Sequence, residues 1–385
     1  MMKKTFAVII LLVFFLGTGN LFAQNDSIAA DTTTVKKNLL GKIIDYFSKS
    51  NEVNENKRFD FSIIGGPHYS SETKLGLGIA ASGLYRIDPY DQTISPSNIS
   101  LYGDITTSGF YMIGIRGNTI FPKERFRIDA DLSFSSFPSK YWGIGYENGN
   151  VDNYSKYTAD EIRVKIDFLA RIMKNTYIGF SGNFRNITGN DFKDVSFLQG
   201  AKKSNTATGI GLIASYDSRD FIPNPYKGIY AKFEHIINPE FLGSSSRFNK
   251  TELIARYYTR AWKGAILAFD LNGIFNTSNT PWSMLALMGN SRQMRGYYEG
   301  RYRDRNLIQA QVEIRQHIYG RSGAVVWAGV GNVFSKLSKF EFEQTLPNFG
   351  VGYRWEFKNR VNLRLDYGFG KGGQSAFYFN INEAF

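Results

Sequence analysis

From residue 59 to residue 385, hydrophobic and polar positions alternate with a period of two, in short runs separated by turn residues. Ile162, Val164, Ile166 and Phe168 interleave with Glu161, Arg163, Lys165 and Asp167. Val361, Leu363, Leu365, Tyr367 and Phe369 interleave with Asn362, Arg364, Asp366 and Gly368. A two-residue period places successive side chains on opposite faces of a β-strand. The pattern predicts strands at 59–67, 74–86, 97–106, 109–121, 126–137, 158–172, 176–187 and 207–219. It continues at 227–237, 249–261, 265–276, 305–318, 323–333, 345–357, 360–370 and 375–385.

The last run carries the pattern to the final residue, with Phe377, Phe379, Ile381 and Phe385 on one face and Tyr378, Asn380, Asn382 and Ala384 on the other. Its length suits a tilted bilayer-crossing strand of about 9–11 residues. The connections alternate as well. Tight turns at 122–125, 173–175, 262–264 and 358–359 fall on one side, and long loops at 138–157, 188–206, 238–248, 277–304 and 334–344 on the other. Short turns on one rim and long loops on the opposite rim are the signature of an outer-membrane barrel. The expected fold is therefore all-β, a transmembrane antiparallel barrel of about sixteen strands over 59–385. Polar rows as charged as Arg163, Lys165 and Asp167 do not form a dry core, so they predict a wet lumen wide enough for a loop to fold into.

The N-terminal region reads differently. Lys3 and Lys4, the apolar run Phe6–Leu16 and Leu21-Phe22-Ala23 predict a cleavable secretory leader over 1–23. Residues 24–58 form an expected periplasmic segment. Within it Val35, Leu39, Ile43, Ile44 and Phe47 recur at helical spacing, with Thr33 or Thr34 as cap, and predict a short amphipathic helix over 35–50. That helix is read as filling a gap at the periplasmic mouth or docking a partner. No later stretch of roughly 18 apolar residues predicts a membrane-spanning helix.

Composition sharpens the picture. The chain has 38 Gly, 32 Phe and 23 Tyr but 10 Pro and no Cys, so stability must come from packing and strand pairing. The net charge of +12 is spread along the strands, which fits a lumen wall and contacts to anionic lipid headgroups rather than nucleic acid. His68, His235 and His317 are scattered, and His68 beside Ser70, Ser71 and Glu72 defines no triad. Asp129 with Asp131, and Asp217 with Asp220, read as lumen or turn carboxylates, and Gly76, Gly78 and Gly83 as strand glycines. No catalytic, metal or cofactor site is expected.

Within 277–304 stands Gln293-Met294-Arg295-Gly296-Tyr297-Tyr298, followed by Arg301, Arg303 and Arg305. Asp217-Ser218-Arg219-Asp220 with Pro225 and Gly228 stands in the middle, and a phenylalanine ends the last strand. In these three places, and over about the whole of 59–385, the sequence resembles the bacterial surface antigen superfamily, the BamA and TamA outer-membrane assembly barrels. The resemblance implies that Met294-Arg295-Gly296-Tyr297 is an inward-folded loop whose arginine reaches the barrel wall. It also implies acidic partners on the two following strands. Glu313 supplies the first. The second position, in Trp327-Ala328-Gly329-Val330-Gly331, holds Gly329, so Glu313 is the expected main counter-charge, with Gly329 and Gly331 leaving room for the loop.

Polypeptide-transport-associated domains, which assembly members carry before the barrel, do not fit into 24–58. The resemblance implies a non-enzymatic insertion or translocation factor, or an accessory subunit, in outer-membrane biogenesis. Its expected partners are outer-membrane lipids, other envelope proteins and the cell's barrel-assembly machinery, which would read Phe377, Phe379, Ile381 and Phe385. A passive pore for small solutes and a scaffold of a surface complex remain alternatives.

Overall fold

A computed structural model describes residues 59–70, 73–88, 97–222, 224–358 and 360–385. The expected leader and the helix at 35–50 lie outside the described residues. The strands are β1 (Phe59–Ser70), β2 (Lys74–Tyr85), β3 (Ser97–Thr106), β4 (Tyr111–Ile120), β5 (Phe126–Tyr141), β6 (Ser155–Met173), β7 (Thr176–Asn190), β8 (Ser204–Asp217) and β9 (Gly228–Asn238). They continue as β10 (Phe248–Trp262), β11 (Ala265–Asn276), β12 (Ala286–Leu287), β13 (Arg303–Asp304), β14 (Asn306–Tyr319), β15 (Ser322–Phe334), β16 (Leu346–Lys358), β17 (Val361–Gly370) and β18 (Ser375–Ile381). Every strand expected from the alternation is present. Sixteen of them pair antiparallel in chain order into a closed barrel, with β1 meeting β18. The two short strands β12 and β13 form a separate hairpin inside the β11–β14 connection.

The faces are inverted relative to a water-soluble protein. Leu75, Leu77 and Ile79 on β2, Ile113 and Ile115 on β4, Phe180 on β7, Ile210 and Leu212 on β8, and Phe349 and Val351 on β16 are exposed. Asp167, Glu234, Asp270, Gln309, Gln311, Glu313, Arg354, Arg364 and Asp366 are buried. An apolar band around the whole barrel far exceeds the few hundred Å² that a soluble monomer exposes, and is stable only in lipid.

Several strands run past the apolar pattern at the long-loop end. β5 and β6 stay paired to Tyr141 and Ser155, beyond Phe134 where the outward apolar alternation stops. Backbone pairing needs no apolar face, so it continues above the lipid band. At this end loops fold over the lumen. Tyr141, Tyr157, Leu198 and Trp282 form one buried cluster, and Ile187, Ala207, Phe248 and Met284 another. The Trp282 indole donates to the Lys202 carbonyl at 2.9 Å, pinning the start of the β11–β14 connection to the β7–β8 loop.

The last strand departs from expectation. It ends at Ile381 rather than at residue 385, because Asn382 adopts a left-handed φ of 69° that turns the chain off the wall. Phe377 and Phe379 remain outward and Ile381 is exposed, but Phe385 points inward and is 6% exposed. It packs with Tyr258, Ala268 and Ala384, with the Arg315 guanidinium 5.3 Å from its ring centroid. Phe385 therefore does not share a face with Phe377 and Phe379. The sidedness of a strand ends where its backbone dihedrals do.

Candidate functional site: a loop seated on a ring of charges in the lumen

The β11–β14 connection enters the lumen and returns. The β12–β13 hairpin holds its two arms together, helped by Met288 N–H to the Tyr302 carbonyl at 3.0 Å and Gly300 N–H to the Met288 carbonyl at 2.9 Å. At the tip the Asn290 carboxamide oxygen accepts from the N–H groups of Arg292 and Gln293. Met294 has φ 48° and Gly296 φ 113°, so the chain reverses sharply between them. The reversal sends alternate side chains two ways. Met294 and Tyr297 join Met288, Tyr302, Leu307, Val333 and Leu346 in an apolar cluster between loop and wall, while Arg295 points into the wall itself.

Two backbones touch at the seat. A Cβ on Gly368 would lie 2.5 Å from the Arg295 carbonyl oxygen, and one on Gly296 would lie 2.7 Å from the Phe369 nitrogen. Glycine is required on both sides of that contact. The Asn348 amide donates to the Arg295 carbonyl at 3.1 Å, and the Gly296 N–H donates to the Tyr378 hydroxyl at 3.2 Å. The Tyr297 hydroxyl donates to the Pro347 carbonyl at 2.6 Å and accepts from the Lys371 N–H at 2.8 Å. Burial pushes the Tyr297 phenol up to about 12, so it stays protonated and able to donate.

Arg295 is one member of a closed ring of alternating charges. Its guanidinium donates to Glu313 on β14 at 2.5 Å and to Asp366 on β17 at 2.7 Å. Glu313 accepts from Arg315 at 2.7 Å, and Arg315 lies 3.7 Å from Glu383 of the inward-turned tail. Glu383 accepts from Arg354 on β16 at 2.7 Å, and Arg354 donates to Asp366 at 2.6 Å, closing the circuit. Arg295, Glu313 and Asp366 side chains are 0% exposed. The Trp327 ring centroid lies 3.6 Å from the Arg295 guanidinium carbon, so one face of the planar cation rests on an aromatic face while its edges meet carboxylates. Burying isolated charges is prohibitive, but each member here meets an opposite charge on either side. The ring ties loop, three strands and tail into one electrostatic unit.

The residues of the middle signature build a different structure, the β8–β9 turn at the short-turn end. Arg219 grips the Asp217 carboxylate with two nitrogens at 2.9 and 2.7 Å and lies 4.3 Å from the Tyr230 ring centroid. Asp220 accepts from the N–H groups of Tyr226 and Lys227 at 2.9 and 3.3 Å. Gly228 has φ 117°, and a Cβ there would lie 2.4 Å from the Ser218 carbonyl oxygen, so the turn re-enters the wall only with glycine. Within the turn Asn224 and Pro225 are buried.

Residues 116–385 match the Omp85 superfamily domain. The chain belongs to the Omp85 superfamily. Among solved structures the barrel is similar to BamA from Haemophilus ducreyi lacking POTRA domains 1–3, with a TM-score of 0.58 and 10% identity over 85% of this chain and 70% of that one. It is similar to CdiB from Acinetobacter baumannii at TM-score 0.57 and 11% identity, and to CdiB from Escherichia coli at 0.56 and 12%. Each of those likenesses covers 85% of this chain, which spans 60% and 63% of the respective CdiB chains. No curated protein sequence matches.

Within this Omp85 barrel the loop motif lies in the lumen, and Glu313 meets Arg295. The counter-charge is larger than expected. Gly329 does not leave Glu313 as the main partner, because Asp366, two strands further along the barrel, supplies a second carboxylate. Its signal is visible in the polar row Arg364, Asp366, Gly368, but a period of two gives the face of a residue and not its height against a distant loop. The glycine floor is likewise displaced. Gly331 does underlie the loop, where a Cβ would lie 2.8 and 3.1 Å from the Met288 and Met294 side chains, but the backbone seat is Gly368. Arg315 and Arg354 have no sequence signal beyond their polar-face positions, and the signal of Glu383 is a charge at an otherwise apolar position of the last run.

Proposed function

We propose that this Omp85 barrel is an integral outer-membrane protein of a Gram-negative bacterium that acts without covalent chemistry in outer-membrane biogenesis, as an insertion or translocation factor or an accessory subunit of one. The observation that carries the reading is the seam. β1 pairs with β2 along its whole length, from Phe59 opposite Tyr85 to Ser70 opposite Lys74. On its other side, among the described residues, it meets β18 at a single register, Ser70 opposite Tyr378. β18 is short because Asn382 takes the tail into the lumen, so the early residues of β1 face no wall strand. Unpaired backbone groups are costly in lipid, and an edge of this kind is satisfied by an added strand. The long-loop rim faces outward and the short-turn rim faces the periplasm. The machinery that would fold this barrel reads the outward side chains Phe377, Phe379 and Ile381.

The test is a reducible crosslink across the seam between Tyr69→Cys and Phe377→Cys, whose parent rings lie 6.2 Å apart. In vesicles, the open protein should accelerate insertion of a denatured outer-membrane barrel chain, the locked protein should not, and reductant should restore the rate. Insertion indifferent to the lock would overturn the reading, and large steady conductance in planar bilayers would favour a pore.

A further inference from the structure

The geometry points to a second closure, at the opposite end of the lumen from the loop cap: we propose that the β8–β9 turn is a strap across the periplasmic mouth, latched onto Arg360 of the β16–β17 turn. In the barrel order β10, β11, β14 and β15 stand between β9 and β16. At about 4.8 Å per strand the two turns are roughly 24 Å apart along the wall, so contact between them must bridge the opening. They are in contact. Arg360 lies 3.0 Å from the Asp220 carboxylate and donates to the Asn224 carbonyl at 2.6 Å. Its guanidinium carbon sits 3.9 Å from the Tyr226 ring centroid and 4.9 Å from that of Phe221.

The strap is prebuilt. The Asp217–Arg219 fork stiffens its root, the Asp220 carboxylate ties its own tip by capping Tyr226 and Lys227, and Gly228 sets its return angle. On the β10 side Arg260 lies 5.9 Å from the Tyr226 ring. Burial opposes ionisation of Asp220, but the two backbone N–H groups and Arg360 overcome it and hold the carboxyl below its ordinary range. Each middle-signature residue is thus explained by delivery of one short segment to one arginine on a distant stretch of wall. An arginine at the receiving end suits the task, since its planar cation bonds at its edge and stacks on its face at once.

The chain has no cysteine, so thiols can be placed freely. Asp220→Cys/Arg360→Cys should crosslink efficiently with a short reducible bis-thiosulfonate in the folded, heat-modifiable band and not in the boiled one. Separately, Ala384→Cys, 2% exposed at the tail, should react slowly with a water-soluble maleimide in the detergent-solubilised barrel. Adding Arg360→Ala or Asp220→Ala should raise that rate about fivefold, as expected for losing one partly exposed ion pair. Absence of the crosslink in the folded band, or an unchanged labelling rate in folded variants, would overturn the strap.

Discussion

Removing Arg295 tests the charge ring most directly. Arg295→Ala leaves Glu313 and Asp366 fully buried with one cationic neighbour fewer each, and uncovers the face of Trp327. Breaking a buried ion pair from one side costs about 3–5 kcal/mol. Glu313 retains Arg315 at 2.7 Å and Asp366 retains Arg354 at 2.6 Å, which moderates the loss, while loss of the desolvated cation–π contact adds about 2 kcal/mol. A net cost of about 3–5 kcal/mol is expected, which shifts the seated-to-released loop equilibrium by about two to three and a half orders of magnitude. Glu313→Ala should cost less, about 2–3 kcal/mol, because Arg295 keeps Asp366. In the double variant the lost pair is counted once, so the cost should fall below the sum by about 1 kcal/mol or more. Unfolding from lipid vesicles followed by tryptophan fluorescence gives the energies, and trypsin cleavage after Arg292 or Arg301 reports loop release. An Arg295→Ala cost below about 1 kcal/mol, the value of a solvated pair, would refute the ring. So would additivity within about 0.5 kcal/mol.

Gly368→Ala should release the loop, because its Cβ meets main-chain atoms of Arg295 at 2.5 Å, whereas Gly331→Ala should be mild because it meets flexible methionine ends; trypsin sensitivity ranks the two. Tyr297→Phe loses the hydrogen bonds to Pro347 and Lys371 and should lower stability by about 1–3 kcal/mol in the vesicle assay. Asp220 is held below its ordinary value of about 3.9, so its contribution to strap closure is complete above that pH and lost as pH falls through the depressed value. Labelling of Ala384→Cys, with a thiosulfonate in place of the maleimide at acid pH, should therefore accelerate on acidification, and Asp220→Asn should abolish the dependence. Phe379→Asp should lower the membrane-inserted fraction, while Phe385→Ala should insert but unfold more readily, since Phe385 is inside; equal insertion defects would contradict its lumenal position.

The wall is legible in the sequence because lipid outside and water inside impose opposite demands on alternate residues, and Ile162 to Phe168 or Val361 to Phe369 answer both at once. The loop is legible as a motif and, in Glu313, as one contact. What eludes the sequence are relations between strands far apart in order: Asp366 beside Glu313 beneath one arginine, Arg360 beneath Asp220, Glu383 between Arg315 and Arg354. Those depend on barrel stagger and loop depth, which no local period encodes. The inward tail is legible in part. Glu383, a charge at an outward position of the alternation, already breaks the pattern in letters, and the positive φ of Asn382 ends it in space.

The loop leaves the wall after β11, and although its arms meet earlier groups such as the Lys202 carbonyl and Asp270, the groups that seat the Arg295–Tyr297 turn are made later in the chain: Glu313, Trp327, Asn348, Asp366, Gly368 and Tyr378, the last of which is 82 residues beyond Gly296. A nascent barrel complete through β11 has a plug and no socket. The entropic cost of closing so long a loop grows only logarithmically with its length, so distance is no obstacle once the socket exists. Order is the constraint: seating comes after the C-terminal strands have paired, late in folding, and contacts made after the rate-limiting barrier govern unfolding speed rather than folding speed. Damage to the ring should therefore leave the assembly rate almost untouched and shorten the lifetime of the finished barrel.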